Sequence, residues 1–352
     1  MSSSILWLIG PALGHVSRSC LIAEALKANW HVEVTFVGND KFGYIKELLP
    51  PDFKFIEVEH QDSDGFSAAV EKVIRKLGPS VICLDCSPIP WLETLSTFDI
   101  PTVYLTNYFL TRLGDAETYQ DQVFRNRSDE INERRESKGL PMLDSARDLY
   151  DRDKIILLDP MELISHKELS TNYFPAGICS WELNVAIPAE LRRYTRLLFV
   201  STGSTGRGVM PPKLLNGIAR VLNAEKTVLL GTRQRSDNYS AEILCYKRLP
   251  ARRVLERSVF CLTHGGTGSV YQSLTARCPV GIWPGHRNHR ILGSAVKNRG
   301  LGMYIDSADS IERELLGLER NLAMYKSSLS KLTRTNSDLN AAYAAQEIVK
   351  FA

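Results

Sequence analysis

Two short strings set side chains able to do chemistry beside glycines. The first, THGGTGS at Thr263 to Ser269, follows the apolar run Val259 to Leu262. It precedes a helical period with Val270, Leu274 and Ala276 on its apolar positions. Strand, tight turn and helix in that order leave the first helical amides unpaired at the positive end of the helix dipole. Glycines at 265, 266 and 268 carry no Cβ to hold a ligand off the backbone. Such an end suits a diphosphate, with hydroxyls from Thr267 and Ser269 and an imidazole from His264 to meet its oxygens. An ordinary helix cap is the other reading of the same string. The second string is GHVSR at Gly14 to Arg18, between the strand Ser4 to Ile9 and a helix expected over about Ser17 to Ala28. His15 is a candidate general base: at a helix N-terminus the dipole disfavours the imidazolium, and a neutral ring can take a proton from a hydroxyl. Asp85, which follows the strand Ser80 to Leu84, can orient that ring and stabilise the charge that forms on it. Helix capping is the competing role for both residues.

The elements that must position these residues alternate. In the first half, strands are expected at Ser4 to Ile9, His31 to Val37, Phe53 to Val58, Ser80 to Leu84 and Thr102 to Leu105, with helices between them. The polar stretch Asn107 to Arg152 reads as an exposed helical insertion. A strand resumes at Lys154 to Leu158. The second half repeats the outline: strands at Arg196 to Ser201, Lys226 to Leu230, Glu242 to Tyr246, Val259 to Leu262 and Pro279 to Trp283, a helix from Ile291 to Arg299 and two helices from about Ser310 onward. The α/β alternation predicts parallel sheets covered on both faces, two doubly wound Rossmann-like domains facing a cleft. In sheets of order 3-2-1-4-5 the loops after strands one and four converge. That brings His15 toward Asp85 in one half, and Gly203 and Ser204 toward His264 to Ser269 in the other.

HGGTGS, then SLTARCP, WPGHRNHR and RGLG, resembles the donor-site signature of the UDP-glycosyltransferase superfamily, which includes macrolide and plant-type glycosyltransferases and is related to the peptidoglycan N-acetylglucosaminyltransferase. GHVSR resembles the family's histidine-bearing segment. The resemblance implies the glycosyltransferase-B fold. It also implies inverting transfer of a sugar from a nucleoside diphosphate sugar, UDP or dTDP type, to a hydroxyl of a small-molecule or lipid-linked acceptor. His15 and Asp85 would be catalytic, and Gly14, Gly203, Ser204, His264, Gly266, Thr267, Gly268 and Ser269 would bind substrate. RLPARR falls where the family sets an aromatic on the nucleobase, so Arg248 and Leu249 take that place, with the guanidinium able to stack. The family's ribose-binding acid is Gln272 here, and its Asp-Gln pair for the donor sugar is Asn288 and His289; these departures bear on sugar choice. Arg287 and Arg290 of the same segment can pair with an anionic substituent on donor or acceptor. The expected division is residues 1–180 for the acceptor, a linker over 181–194, residues 195–335 for the donor, and a last helix over 336–352 returning to the first domain.

Composition narrows the partners. With 352 residues, 44% hydrophobic and 24% charged, the chain suits two globular domains. A net charge of +3, from 43 basic against 40 acidic side chains, argues against nucleic acid. No apolar run approaches the length that spans a bilayer, so a cytoplasmic protein is expected, with peripheral membrane contact left open. Seven cysteines without regular spacing read as reduced thiols. Cys83 with Cys86, and His286 with His289, lack further ligands for a metal site. The DxD strings at Asp62 with Asp64 and Asp151 with Asp153 read as solvated loops. No cofactor or metal is expected beyond the nucleotide sugar as co-substrate, because helix amides can do the work of an ion. Rival functions are a non-catalytic nucleotide-binding auxiliary of the same fold and a nucleotide-sugar epimerase. A hydrolase would need a GxSxG elbow, which the sequence lacks.

Overall fold

Apolar runs flanked by glycine and polar turns fold as parallel strands, and their near-continuous hydrophobicity reflects burial on both faces. The computed structural model describes residues 4–58, 63–85, 95–164, 169–204, 210–231, 243–333 and 335–352. These residues divide into two compact units. One comprises Met1–Asp159, Ile164–Cys179 and Asn336–Ala352; the other comprises Pro160–Leu163 and Ser180–Thr335.

In the first unit the strands are β1 (Ser4–Ile9), β2 (Glu33–Gly38), β3 (Lys54–Glu57), β4 (Val81–Asp85), β5 (Thr102–Thr106), β6 (Lys154–Leu157) and β7 (Tyr173–Pro175), in the sheet order β3-β2-β1-β4-β5-β6-β7. Every pairing is parallel. β1 and β4 are neighbours, with Ile9 opposite Asp85 at the carboxyl ends. One face packs Trp7, Ile9, Val103 and Ile156 against α1 (Leu13–Trp30) and a late helix, whose Ala341, Ala344, Ala345 and Ile348 join this core. On the other face Phe66, Val70 and Ile74 of α3 (Ser63–Leu77) cover Leu6, Leu8 and Ile82. The short α2 (Tyr44–Leu48) lies between β2 and β3 in the chain. In the polar insertion, α4 (Tyr119–Ser137) opens with a capping box between Thr118 and Asp121, and its interior side chains Phe124 and Ile131 meet Ala146.

The second unit carries β8 (Leu197–Ser201), β9 (Lys226–Leu230), β10 (Ile243–Tyr246), β11 (Ser258–Thr263), β12 (Val280–Ile282) and β13 (Gly302–Tyr304), in the order β10-β9-β8-β11-β12-β13. Its helices are α5 (Pro212–Val221), α6 (Ala251–Leu255), α7 (Thr267–Thr275), α8 (Arg287–Asn298) and α9 (Ile311–Ser330). The final helix, α10 (Ser337–Val349), packs on α1 in the first unit, with Asn340 Nδ2 donating to the Ile178 carbonyl at 2.9 Å. Both sheets contain the 3-2-1-4-5 order and extend it: by two strands in the first unit, and in the second by β13, a three-residue strand absent from the sequence expectation. Two helices begin earlier than their apolar periods suggest. α1 starts at Leu13 rather than near Ser17, where Pro11 and Gly14 mask the helical period, and α8 at Arg287 rather than Ile291, where a polar first turn masks it. The stretch expected as a linker from residue 181 lies within the second unit. No helix among the described residues is long and apolar enough to cross a membrane.

Candidate active site

In the first unit, the site is built where β1 turns into α1 beside the end of β4. Gly10 N–H donates to the Asp85 carbonyl at 3.0 Å, which ties the turn to the neighbouring strand. Because α1 begins at Leu13 behind Ala12, His15 lies in its first turn with no side-chain cap formed there. The His15 ring is 34% exposed, and its Nδ1 is 2.6 Å from Asp85 Oδ1. Asp85 is fully buried. It accepts from Arg18 Nε at 2.7 Å, from Arg18 Nη2 on its other oxygen, and from Ser19 Oγ at 2.8 Å. Burial pushes the carboxyl up, but the Arg18 guanidinium and then His15 outweigh it and hold Asp85 down at about 2. Gly14 lies in open space: a Cβ there would meet nothing within 4 Å.

In the second unit, Ser201, Thr263 and Ile282 stand opposite one another at the ends of β8, β11 and β12. The loops after these strands therefore leave from one edge of the sheet, at the switch point where ligands bind doubly wound folds. Gly203 has φ of +80°, and a Cβ on it would lie 2.3 Å from His264 Cε1. Gly265, with φ of +98°, would collide with His289 Cβ at 2.8 Å and Ile282 Cγ2 at 2.9 Å. Only glycine fits these two positions, and the imidazoles fill the room it leaves. Gly266 is the N-cap of α7, with Thr267, Gly268 and Ser269 in the first turn. No side chain caps that helix, so its first amides face the loop edge. Ser269 Oγ is 2.8 Å from Ser201 Oγ.

Three imidazoles gather at this edge. His264 and His289 meet edge to face with centroids 4.6 Å apart, and His286 stacks on His289 at 3.4 Å. His286 is the N-cap of α8, and Asn288 and His289 lie in its first turn. The Gly285 N–H donates to His289 Nδ1 at 3.2 Å. Burial, and then the other two rings, push His289 down to about 2. Burial also lowers His264, against a hydrogen bond to the Ser201 backbone and with His286 adding to the effect; His286 is lowered by partial burial. The cluster is thus neutral near pH 7.

The remaining expected residues divide. Arg248 is exposed, whereas Leu249 is buried in the core, so its side chain supplies packing. Gln272 Nε2 donates to the Trp181 carbonyl at 3.1 Å, which fixes the chain entering the second unit onto α7. Arg290 is exposed and its Nη1 donates to the Asp306 carbonyl at 3.3 Å. Ser204 and Asn288 are both half-buried. Cys86 and Asp62 lie outside the described residues, and the six described cysteines are free. Arg18 joins the candidate site although its place in the sequence suggested no role, and His286, noted in the sequence only beside His289 as an incomplete metal pair, joins the imidazole cluster. The only signal for Arg18 was the convergence of β1 and β4, since its partner Asp85 is 67 residues away.

No family model matches the chain. Among curated proteins it is similar to a PGL/p-HBAD biosynthesis glycosyltransferase of Mycobacterium tuberculosis, 24% identical over 338 residues, covering 83% of this chain and 78% of that protein. Among solved structures it is similar to the spinosyn rhamnosyltransferase, with a TM-score of 0.74 at 12% identity, over 99% of this chain and 100% of that one. The glycotransferase of kitacinnamycin gives a TM-score of 0.71 at 17% identity, covering 99% of both chains. A UDP-glucosyltransferase from Polygonum tinctorium gives 0.72 at 14% identity, over 100% of this chain and 98% of that one. The fold is the glycosyltransferase-B fold, with one parallel α/β sheet in each unit. The likeness seen in the HGGTGS and GHVSR strings therefore extends to the course of the whole chain, among macrolide and plant enzymes.

Proposed function

We propose that the protein is a glycosyltransferase that moves a sugar from a nucleoside diphosphate sugar, of UDP or dTDP type, to an acceptor hydroxyl with inversion and without a metal ion. The observation that carries this reading is the pairing of His15 Nδ1 with the buried Asp85 at 2.6 Å, in a chain whose second unit holds an uncapped helix end lined by glycines. His15 Nε2 takes the acceptor proton as the acceptor oxygen bonds to the anomeric carbon. The bond from that carbon to the diphosphate oxygen breaks, and the departing electron pair stays with the nucleotide. The amides of Thr267 to Ser269 and the His264 ring meet the charge that appears there, as the role of a helix N-terminus toward an anion requires. The acceptor is a small molecule or a lipid-linked hydroxyl compound. The named activities of the similar proteins, all glycosyl transfer, support the reaction type.

The test is binding of UDP, dTDP and GDP to the full chain, followed by thermal shift. At a hundredfold excess over its dissociation constant, a ligand that binds only the folded state adds about 2.7 kcal/mol of stability. UDP or dTDP should raise the melting temperature more than GDP. No shift with any of the three at millimolar concentration removes the donor-site reading.

A further inference from the structure

The ring of His15 has two nitrogens, and only one arrangement of its proton serves a base. Asp85 Oδ1 stands 2.6 Å from Nδ1, too close for two lone pairs to face each other across the gap. One of the two atoms must therefore carry a proton. Asp85 is wholly buried opposite Ile9 at the carboxyl ends of β4 and β1, a setting that on its own favours a neutral carboxyl. A neutral Asp85 would donate to Nδ1, push the ring proton onto Nε2 and leave no lone pair for the acceptor. What opposes this is Arg18, one helical turn beyond His15, itself only 8% exposed.

Arg18 grips both carboxylate oxygens, through Nε at 2.7 Å and through Nη2. Its Nη2 also stands 3.2 Å from His15 Nδ1, but a guanidinium only donates, so it cannot supply the acceptor that an Nδ1 proton needs. Its other arm points away from the histidine: Nη1 is 3.4 Å from Asn107 Oδ1, Asn107 Nδ2 donates to Asp159 Oδ1 at 3.2 Å, and Asp159 Oδ2 accepts the Tyr108 N–H at 2.7 Å. The groups that bear on the pair are thus Arg18 on α1, Asp85 on β4, Tyr104 on β5, Asp159 after β6 and Cys179 after β7. Arg18 is the cation among them. The network anchors the guanidinium from behind and presents it to Asp85 in a fixed orientation.

We propose that Arg18 is a positioning residue for the transfer: it keeps Asp85 an ionised acceptor, so that His15 holds its proton on Nδ1 and turns a bare Nε2 to the acceptor hydroxyl. This rests on the reading of His15 as the base. The ion pair is built for the tautomer as well as for the fold, so its loss should be visible at the ring. Without the cation, either Asp85 takes a proton and donates to Nδ1, or the unscreened carboxylate holds the ring as imidazolium. Both leave Nε2 protonated near neutral pH.

The experiment is nitrogen NMR of 15N-histidine-labelled full chain at pH 7 to 7.5, with the His15 signals assigned by their loss in His15→Gln. In the parent, His15 should show a protonated Nδ1 and a bare Nε2. In Arg18→Met the bare Nε2 signal should disappear, and Arg18→Lys, which keeps the charge, should restore it at least in part. Where the methionine variant does not fold, Arg18→Gln, which keeps a donor and loses the charge, carries the same test. A parent-like His15 pattern in a folded, neutral Arg18 variant overturns the inference, because a purely structural arginine would leave the tautomer alone. A parent that lacks the bare Nε2 overturns instead the reading of His15 as base. Turnover in the neutral variants should drop by about 10²-fold or more, with nucleotide affinity unchanged within twofold.

Discussion

At the end of the first sheet, a carboxylate, a guanidinium and an imidazole are locked within hydrogen-bond reach, and the carboxylate is wholly buried. At the end of the second sheet, three imidazoles gather, with His264 and His289 packed against glycines, and burial first of all holds His289 neutral. The same strand order and the same kind of turn thus carry opposite electrostatics. A buried ion pair fixes where a proton sits, which suits a group that must accept one in a set direction. Uncapped helix amides beside neutral rings leave a positive potential uncompensated, which suits an incoming anion. Under the proposed function, this difference gives proton transfer to the first unit and diphosphate binding to the second.

The largest effect expected from this contrast is on turnover. His15→Ala should lose about 10² to 10⁴ in single-turnover rate, while the nucleotide binds with nearly its parent affinity. His264→Ala should weaken nucleotide binding before anything else, and a loss of nucleotide affinity in both variants would erase the division of labour. Next comes stability: Asp85→Ala strands the Arg18 cation in the interior and should destabilise the first unit by about 3 to 5 kcal/mol. Denaturant unfolding checks this, and a cost below about 1 kcal/mol would mean that the ion pair is far better solvated than its burial indicates. A smaller effect is expected at Gly203. Gly203→Ala forces a Cβ to 2.3 Å from the His264 ring at a positive φ, which costs about 1 to 2 kcal/mol of backbone strain and displaces the imidazole. Nucleotide affinity should fall severalfold, as read by calorimetry.

The effects of pH separate the two sites by window. His264, His286 and His289 are held below the ordinary imidazole value near 6.5, so the unfolded chain binds more protons than the folded one as pH falls beneath it. Stability of the second unit is therefore complete above about pH 6.5 and declines as pH falls toward His289's value of about 2. Asp85 is lowered from 3.8 to about 2, so its contribution in the first unit is kept until pH falls below about 4 and is lost through 2. Hydrogen exchange at pH 5 should show the second sheet loosening before the first. A bound diphosphate favours imidazolium, so nucleotide binding should take up protons and tighten as pH falls from 8 to 6, by less than tenfold per unit. Calorimetry in buffers of different ionisation enthalpy reads that uptake, and its absence would mean that the rings lie beyond reach of the phosphates.

Much of the framework was legible because central strands of a covered parallel sheet are unbroken apolar runs, as in LWLI at the end of β1 and FCLT at the end of β11. Adjacent positions at the switch point followed from strand order alone. Gly-Met-Tyr was not legible as a strand, since three residues with a leading glycine carry no alternation. The first turn of α8 was hidden by its charge: Arg287, Asn288, His289 and Arg290 give no apolar period, yet they place His289 where it packs on His264. Arg18 was hidden for another reason. Its position on α1 reads as an exposed arginine in one dimension, and only the pairing of β1 with β4 brings Asp85 to it. Leu249, expected among the substrate-binding residues, has a buried side chain, which one dimension does not reveal.

The last helix has a consequence for biosynthesis. Ala341, Ala344, Ala345 and Ile348 of α10 complete the same core as Ile22, Ala23 and Leu26 of α1, so one apolar face of the first unit stays uncovered until residues 337–349 have been made. The second unit lies between them in the chain. At about 5 to 20 residues per second, translation of the intervening stretch leaves that face exposed for roughly ten to thirty seconds. During that interval the nascent first half presents a chaperone with a ready target, and the half of the chain that is translated first is the half that finishes folding last.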